Sequence, residues 1–105
     1  MAKLYYGNGD CTIEGSYDIS GVEIFYRGSI AVTKTCGDFA EVMVSKSKIV
    51  VISLGTGNLS KLFSYTGNLK ITSVKVADSN AEIISTTIKR VMDYSELLDT
   101  NAEDM

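Results

Sequence analysis

The sequence contains no histidine, no proline and no tryptophan, and it has only two cysteines among 105 residues. A serine or cysteine nucleophile usually needs a histidine base, and zinc sites draw on histidine and cysteine ligands. Cys11 and Cys36 have 24 residues between them, which matches neither the paired CxxC units of a zinc ribbon nor a redox CxxC motif. We therefore expect free, partly buried thiols, with one disulfide as the alternative, and no metal, no cofactor and no enzymatic activity.

Long apolar segments are absent as well. The longest apolar run covers residues 49–52, and the amino-terminal residues contain no apolar signal segment. A membrane helix needs about 20 consecutive apolar residues, so we expect a cytoplasmic protein that does not contact a membrane. The chain is 45% hydrophobic and 22% charged, and its length suits one domain with one modest core.

The residues that are abundant favour β-strands. Nine Val, ten Ile and nine Thr make up 28 of the 105 residues, and β-branched side chains pack well on a pleated surface. Asn8-Gly9 predicts a hairpin between strands near residues 3–6 and 11–14. Gly28 interrupts a strand-like run over residues 22–34 and predicts either a turn or a bulge that bends one long strand. Further strands are expected at residues 39–45, 48–54 and 69–76, the last with a bulge near Thr72-Ser73.

Edge strands in such a chain would be unprotected. Proline is one of the ordinary devices that stop edge strands from pairing with other chains, and this sequence has none. The absence of proline therefore favours self-association through strand edges.

Three segments raise the question of a helix. Apolar side chains at 59, 62 and 63 have helical spacing after Asn58, which predicts one capped helical turn. Residues 81–92 fit a helix with a Ser79–Glu82 capping box, but six of the nine residues from 83 to 91 are β-branched. We predict a strand there, paired with residues 69–76. Residues 93–98 predict a short C-terminal helix.

The net charge of −3 is unevenly distributed. Residues 1–92 carry ten cations and eight acids, a net charge of +2, whereas residues 93–105 carry five acids and no cation. We expect one domain over residues 1–92, followed by a short helix and acidic tail over residues 93–105. The tail either keeps the protein soluble or competes with polyanions for a weakly basic body.

Few motifs indicate chemistry. Gly7-Asn8-Gly9 and Gly55-Thr56-Gly57 lack the rest of a nucleotide-binding signature, and both are interpreted as turns. Tyr26 and Arg27 offer an aromatic ring beside a cation, a pairing that single-strand binders use for stacking and phosphate contact. The alternative is that Tyr26 packs in the core, as tyrosines on strands usually do.

Three stretches resemble a family of small uncharacterised proteins from marine metagenomes, of cyanophage origin: KLYYGNG at residues 3–9, GVEIFYRG at 21–28 and TIKRVMDYSELL at 87–98. That family is similar in fold to Sm/LSm proteins, small barrels of five strongly bent antiparallel strands that form rings by pairing strand edges. The resemblance implies an all-β small open barrel over residues 22–91, with an extra N-terminal hairpin and a short C-terminal helix.

The resemblance also implies a nucleic-acid site. In Sm rings, the loops after the second and fourth strands line the pore and hold nucleotides, and here these loops are residues 45–48 and 77–80. Lys46 and Lys48 would then meet phosphate, while Ser79 and Asn80 would bond base edges. The alternative for both loops is an ordinary polar hairpin connection.

The expected function is accordingly a homo-oligomeric, non-catalytic ring that binds RNA or single-stranded DNA during phage nucleic-acid processing in an infected cell. The alternative is a phage structural or assembly protein, present in the virion, that associates through exposed strand edges and binds no nucleic acid.

Overall fold

The computed structural model describes residues 2–15, 18–38, 40–54 and 59–91, which form β-strands in two sheets. In chain order the strands are β1 (Ala2–Gly7), β2 (Asp10–Glu14), β3 (Ile19–Arg27), β4 (Ile30–Lys34), β5 (Ala40–Val44), β6 (Lys48–Ser53), β7 (Lys61–Gly67), β8 (Lys70–Asp78), β9 (Ile83–Ile84) and β10 (Thr86–Arg90). Sheet A has the order β10-β1-β2-β7-β4, and sheet B has the order β5-β6-β3-β8-β9. The expected all-β class is confirmed.

The two sheets enclose one apolar core. Leu4 and Phe63 of sheet A and Ile24 and Val51 of sheet B are fully buried, and they belong to a single cluster of buried residues. Strands alternate inward apolar and outward side chains because successive residues of a strand point to opposite faces. The architecture is a sandwich of two five-stranded sheets, so the expected small barrel of five bent strands is wrong.

Gly28 lies in the turn where the chain passes from one sheet to the other. It has a φ of +114°, and a Cβ atom at this position would overlap the carbonyl oxygen of Asn68. Only glycine fits such a close approach at positive φ. The chain turns here from β3 in sheet B to β4 in sheet A, so residues 22–34 form two strands in different sheets instead of one bent strand.

Two local predictions, a hairpin turn and a strand bulge, are confirmed. Asn8 and Gly9 connect β1 to β2 with φ values of 53° and 85°, the left-handed pair that a tight hairpin requires. The bulge near Thr72-Ser73 is also present, because the β3–β8 register passes from Ser73 directly to Ile71.

The expected helical turn at residues 59–63 is wrong. Lys61–Gly67 is strand β7, and the β2–β7 register pairs Cys11 with Phe63 and Thr12 with Lys61, which leaves Leu62 as an extra residue. This irregularity allows adjacent Leu62 and Phe63 both to be fully buried. A bulge in the strand therefore produced the apolar spacing that resembled a helix.

Residues 83–90 form strands, as predicted, but their pairing with β8 is brief. β9 pairs with β8 at only two residues, and β10 then joins sheet A parallel to β1. The Asn58 cap, the C-terminal helix at 93–98 and the tail at 93–105 lie outside the described residues. In the part of the chain that is described, no helix is long and apolar enough to cross a membrane.

Both cysteines lie in the interior. Cys11 and Cys36 are buried and free. Burial, with a smaller contribution from the charge of Asp10, raises the pKa of the Cys11 thiol to about 12. A thiol that resists ionisation is a poor nucleophile, so Cys11 serves as a core residue.

Candidate functional site

The outer face of sheet B carries apolar side chains where an ordinary solvent-exposed sheet carries polar ones. One row of directly opposed residues crosses all five strands: Glu41, Ile52, Gly21, Ala77 and Ile83. The neighbouring row consists of Met43, Val50, Glu23 and Lys75. We call these two rows the sheet B face.

Several of these side chains are strongly exposed. Ile83 is 71% exposed, Met43 is 51% exposed and Ile52 is 39% exposed. Leu54, directly after β6, continues the outward alternation of Val50 and Ile52 and is also exposed. Apolar residues scattered singly on a surface need no explanation, but a contiguous set on one sheet indicates a contact surface.

The sheet B face contains a depression at Gly21. The depression has a volume of about 320 Å³, and its walls include the apolar Val50, Ala77 and Ile83 and the charged Glu23 and Lys75. Gly21 lies between Ile52 of β6 and Ala77 of β8, and it contributes no side chain to the row. The missing side chain therefore leaves a hollow in the middle of an apolar row.

No backbone or packing constraint requires glycine at position 21. Its φ is outside the left-handed region, and an added Cβ atom would meet no other atom within 4 Å. The β3–β8 register has an irregularity between Ile19 and Gly21, but the extra residue is Ser20. Gly21 thus differs from Gly28, where a Cβ atom would collide with backbone.

Charged residues on this face largely balance one another. Glu23 lies directly opposite Lys75 of β8, and its carboxylate is 3.8 Å from the Nζ atom of Lys48. Ion pairs this exposed contribute little to stability. These residues nevertheless place charges of both signs beside the apolar side chains of the face.

The residues predicted to bind nucleic acid do not form one site. Lys48 pairs with Phe25 at the end of β3 that also holds Tyr26 and Arg27, and the Tyr26 amide donates to the Ser47 carbonyl. Lys46 lies in the same β5–β6 turn. Ser79 and Asn80 follow β8 at the opposite end of sheet B, because Asp78 pairs with Ile19. The two predicted loops are thus separated by the length of the sheet.

Tyr26 is a core residue. Its side chain is only 6% exposed, and its hydroxyl donates to the Ser45 carbonyl. A stacking platform needs an exposed ring face, so this geometry matches the packing alternative for Tyr26. Asn80 lies in a turn that Asp78 caps, since the backbone amides of Asn80 and Glu82 each donate to the Asp78 carboxylate at 2.9 Å.

Sequence reasoning missed the sheet B face, although one signal was present. Residues 49–52 are continuously apolar, and such a run in a strand indicates that both faces are covered. Ile49 and Val51 face the core, whereas Val50 and Ile52 face outward. Nothing in the described chain covers the outer pair beyond its immediate neighbours on the sheet.

Comparison with known proteins identifies the fold. No protein-family model and no curated protein matches the chain. Among solved structures, it is similar to a non-cellulosomal cohesin from the hyperthermophilic archaeon Archaeoglobus fulgidus, with a TM-score of 0.54 and 14% sequence identity. The similarity covers 95% of this chain and 96% of the cohesin.

This similarity corrects the sequence-based identification. The neighbour has a jelly-roll β-sandwich fold, so the resemblance to a cyanophage family with an Sm/LSm-like fold is wrong. The predicted RNA- or single-stranded-DNA-binding ring rested on that resemblance and is withdrawn with it. Among the described residues, no group of three or more His, Cys, Asp or Glu could hold a metal ion.

Proposed function

We propose that this protein is a non-catalytic docking module that binds a partner protein through the sheet B face. The observation that carries the proposal is the combination of an exposed apolar row with a depression at Gly21. Contact surfaces between proteins combine apolar and polar groups, and here Glu23 and Lys75 border one side of the depression, with Lys48 beside Glu23.

Gly21 gives the proposal an energetic argument. Glycine within a strand costs roughly 0.5–1 kcal/mol of stability relative to alanine. The space and backbone conformation at position 21 would accept a side chain, so the fold gains nothing from glycine there. We infer that the depression serves an interaction outside the chain.

The partner's chemistry follows from the shape of this face. A partner that fits it presents a ridge with one protruding aliphatic or aromatic side chain, which enters the hollow between Ile52 and Ala77. Met43, Val50 and Ile83 contact the flanks of the ridge. Central anchors of this kind commonly dominate binding energy in protein interfaces.

The structural neighbour supports this proposal and not the nucleic-acid alternative. It is a cohesin, a protein–protein docking domain, and it aligns over almost the whole chain. Association through a sheet face also differs from the strand-edge association expected from the sequence, because outward side chains, and not the unpaired backbone groups of an edge strand, would make the contacts.

A displayed-peptide selection tests the proposal. A library of helical and extended peptides is selected on the wild-type protein, and each enriched peptide is then titrated against Gly21→Leu. Leucine fills the depression without backbone strain, so we expect most selected peptides to carry an apolar anchor residue and to lose at least about 100-fold in affinity.

Two results would contradict the proposal. One is enriched peptides that bind Gly21→Leu as tightly as wild type when circular dichroism shows both proteins equally folded. The other is a concentration-dependent dimer, seen by analytical ultracentrifugation, that Gly21→Leu abolishes, because the occupant of the depression would then be a second copy of this chain.

A further inference from the structure

A second cleft lies at one end of the sandwich, where three turns meet. It has a volume of about 600 Å³, within the usual range for small-ligand sites. The β1–β2 turn at Asn8 and the β7–β8 turn at Asn68 line it. The β3–β4 turn supports it, since the Asn68 amide donates to the Ser29 carbonyl at 3.2 Å.

These turns are packed backbone against backbone. A Cβ atom on Gly7 would overlap the Val91 carbonyl oxygen, and one on Gly67 would overlap the Ser29 carbonyl oxygen. The Tyr65 amide also donates to the Gly9 carbonyl at 2.8 Å. The cleft is therefore formed by turns that pack closely on one another, so its walls need not rearrange when a ligand binds.

The lining of this cleft is rich in hydrogen-bond donors and positive charge. Arg90 contributes from sheet A and Lys70 from sheet B, and Asn8 and Asn68 also line the cleft. No acidic side chain is among the described lining residues. Asp10 lies just beyond Gly9, but its carboxylate accepts a hydrogen bond from the Ser64 hydroxyl at 3.0 Å.

A second observation also indicates an anion. Lys70 lies directly opposite Arg27 across strands β3 and β8. Like charges at directly opposed positions destabilise a sheet. Within the described residues neither of the two forms a salt bridge or a side-chain hydrogen bond. Arg27 does not line the cleft, but an oxyanion bound to Lys70 there would neutralise one member of this like-charge pair.

We propose that this cleft binds a small organic anion, one that carries a carboxylate or phosphate group on a body of about sugar size. Lys70 and Arg90, which both line the cleft, hold the oxyanion through charge-assisted hydrogen bonds. Tyr6, Tyr65 and Leu69 provide surfaces for the body of the ligand. This site is independent of the sheet B face, since Lys70 and Ala77 are seven residues apart along β8, or roughly 23 Å.

NMR titration of the full chain tests this site. The probes are citrate, galacturonate and inorganic phosphate, with uncharged galactose as the control ligand. We expect at least one anionic probe to shift the backbone amides of Asn8, Asn68 and Lys70 at concentrations where galactose shifts none. The response to carboxylates or to phosphate identifies which oxyanion the site prefers.

Two lysine variants complete the test. Lys70→Ala should weaken binding about tenfold, as expected for the loss of one charged hydrogen bond, and should not lower the melting temperature because it removes the repulsion with Arg27. Lys61→Ala also removes one lysine charge, but at the end of β7 that does not line the cleft, and it should leave the affinity for the anion unchanged. The proposal is overturned if no anionic probe shifts these amides, or if both variants weaken binding equally.

Discussion

Sheet A and sheet B cover the same core with five strands each, yet their outer faces have different chemistry. On sheet A most outward side chains are polar, and two pairs of them form hydrogen bonds: the Tyr5 hydroxyl donates to the Glu14 carboxylate at 2.9 Å, and the Ser64 hydroxyl donates to Asp10 at 3.0 Å. On sheet B the outward positions include exposed apolar side chains such as Met43 and Ile52, beside the charged Glu23 and Lys75.

This difference separates a solvent face from a contact face. A polar outer face needs no partner, because its groups bond to each other and to water. An exposed apolar row is unfavourable in water and favours contact with another surface. Because both sheets belong to one small domain, the demands of folding alone do not explain why only the outer face of sheet B exposes large apolar side chains.

A lysine introduced on each outer face in turn should give the largest difference in peptide affinity. Met43 and Thr33 both point outward from edge strands, β5 of sheet B and β4 of sheet A. We expect Met43→Lys to weaken binding of the selected peptides by about 30- to 100-fold, because it desolvates a charge at the interface. Thr33→Lys should change their affinity less than twofold in the same calorimetric titration, and an equal loss in both variants would erase the distinction between the faces.

The inner and outer sides of β3 should respond differently to substitution. Val22 is fully buried beneath the depression, so Val22→Ala should lower the free energy of unfolding by about 2 kcal/mol. Gly21→Ala, one residue away, should raise it by roughly 0.5 kcal/mol, since the added methyl group meets open space. Urea denaturation measures both, and a destabilising Gly21→Ala would mean that the fold itself requires this glycine.

The smallest effect concerns the polar face of sheet A. The hydrogen bond to Glu14, followed by desolvation and the Glu14 charge, raises the pKa of Tyr5 above its ordinary value of 10.0. Because the pKa is higher in the folded than in the unfolded protein, the neutral Tyr5 hydroxyl contributes to the free energy of unfolding below pH 10. This contribution is lost as the pH rises through the folded-state pKa. The stability difference between wild type and Tyr5→Phe should therefore shrink from pH 8 to pH 11 in urea titrations. A constant difference would show that this hydrogen bond has no linkage to folding.

The sequence predicted what local chemistry determines. The Asn8-Gly9 turn follows from backbone preferences, the bulge at Thr72 from a slip in the apolar alternation of residues 69–76, and the strand character of residues 83–90 from β-branched content. The pairing of strands was harder to predict from the sequence, because the sheet that a strand joins depends on contacts between distant residues. Gly28 is an example: its sequence context indicated a turn or a bend, but the close approach of its backbone to the distant Asn68 carbonyl, which leaves no room for a Cβ atom, is visible only in the fold.

The candidate site was predicted less well than the fold. Lys46, Ser79 and Arg27 attracted attention as charged or polar loop and strand-end residues, and a mistaken resemblance assigned most of their roles. The sheet B face depends on Ile52, Gly21 and Ala77 lying side by side, which is a consequence of register. A shift of one residue in any of these strands would move its outward side chains to the other face, and no local pattern fixes that register.

The most direct test of the central claim is NMR mapping of a selected peptide on the isotopically labelled protein. We predict that the largest amide shift changes occur at Gly21, Ile52, Ala77 and Ile83, and that Thr12 and Thr33 on the outer face of sheet A remain unchanged. Shift changes concentrated on sheet A, or along the outer edges of β4 and β10, would contradict the assignment of the sheet B face as the docking surface.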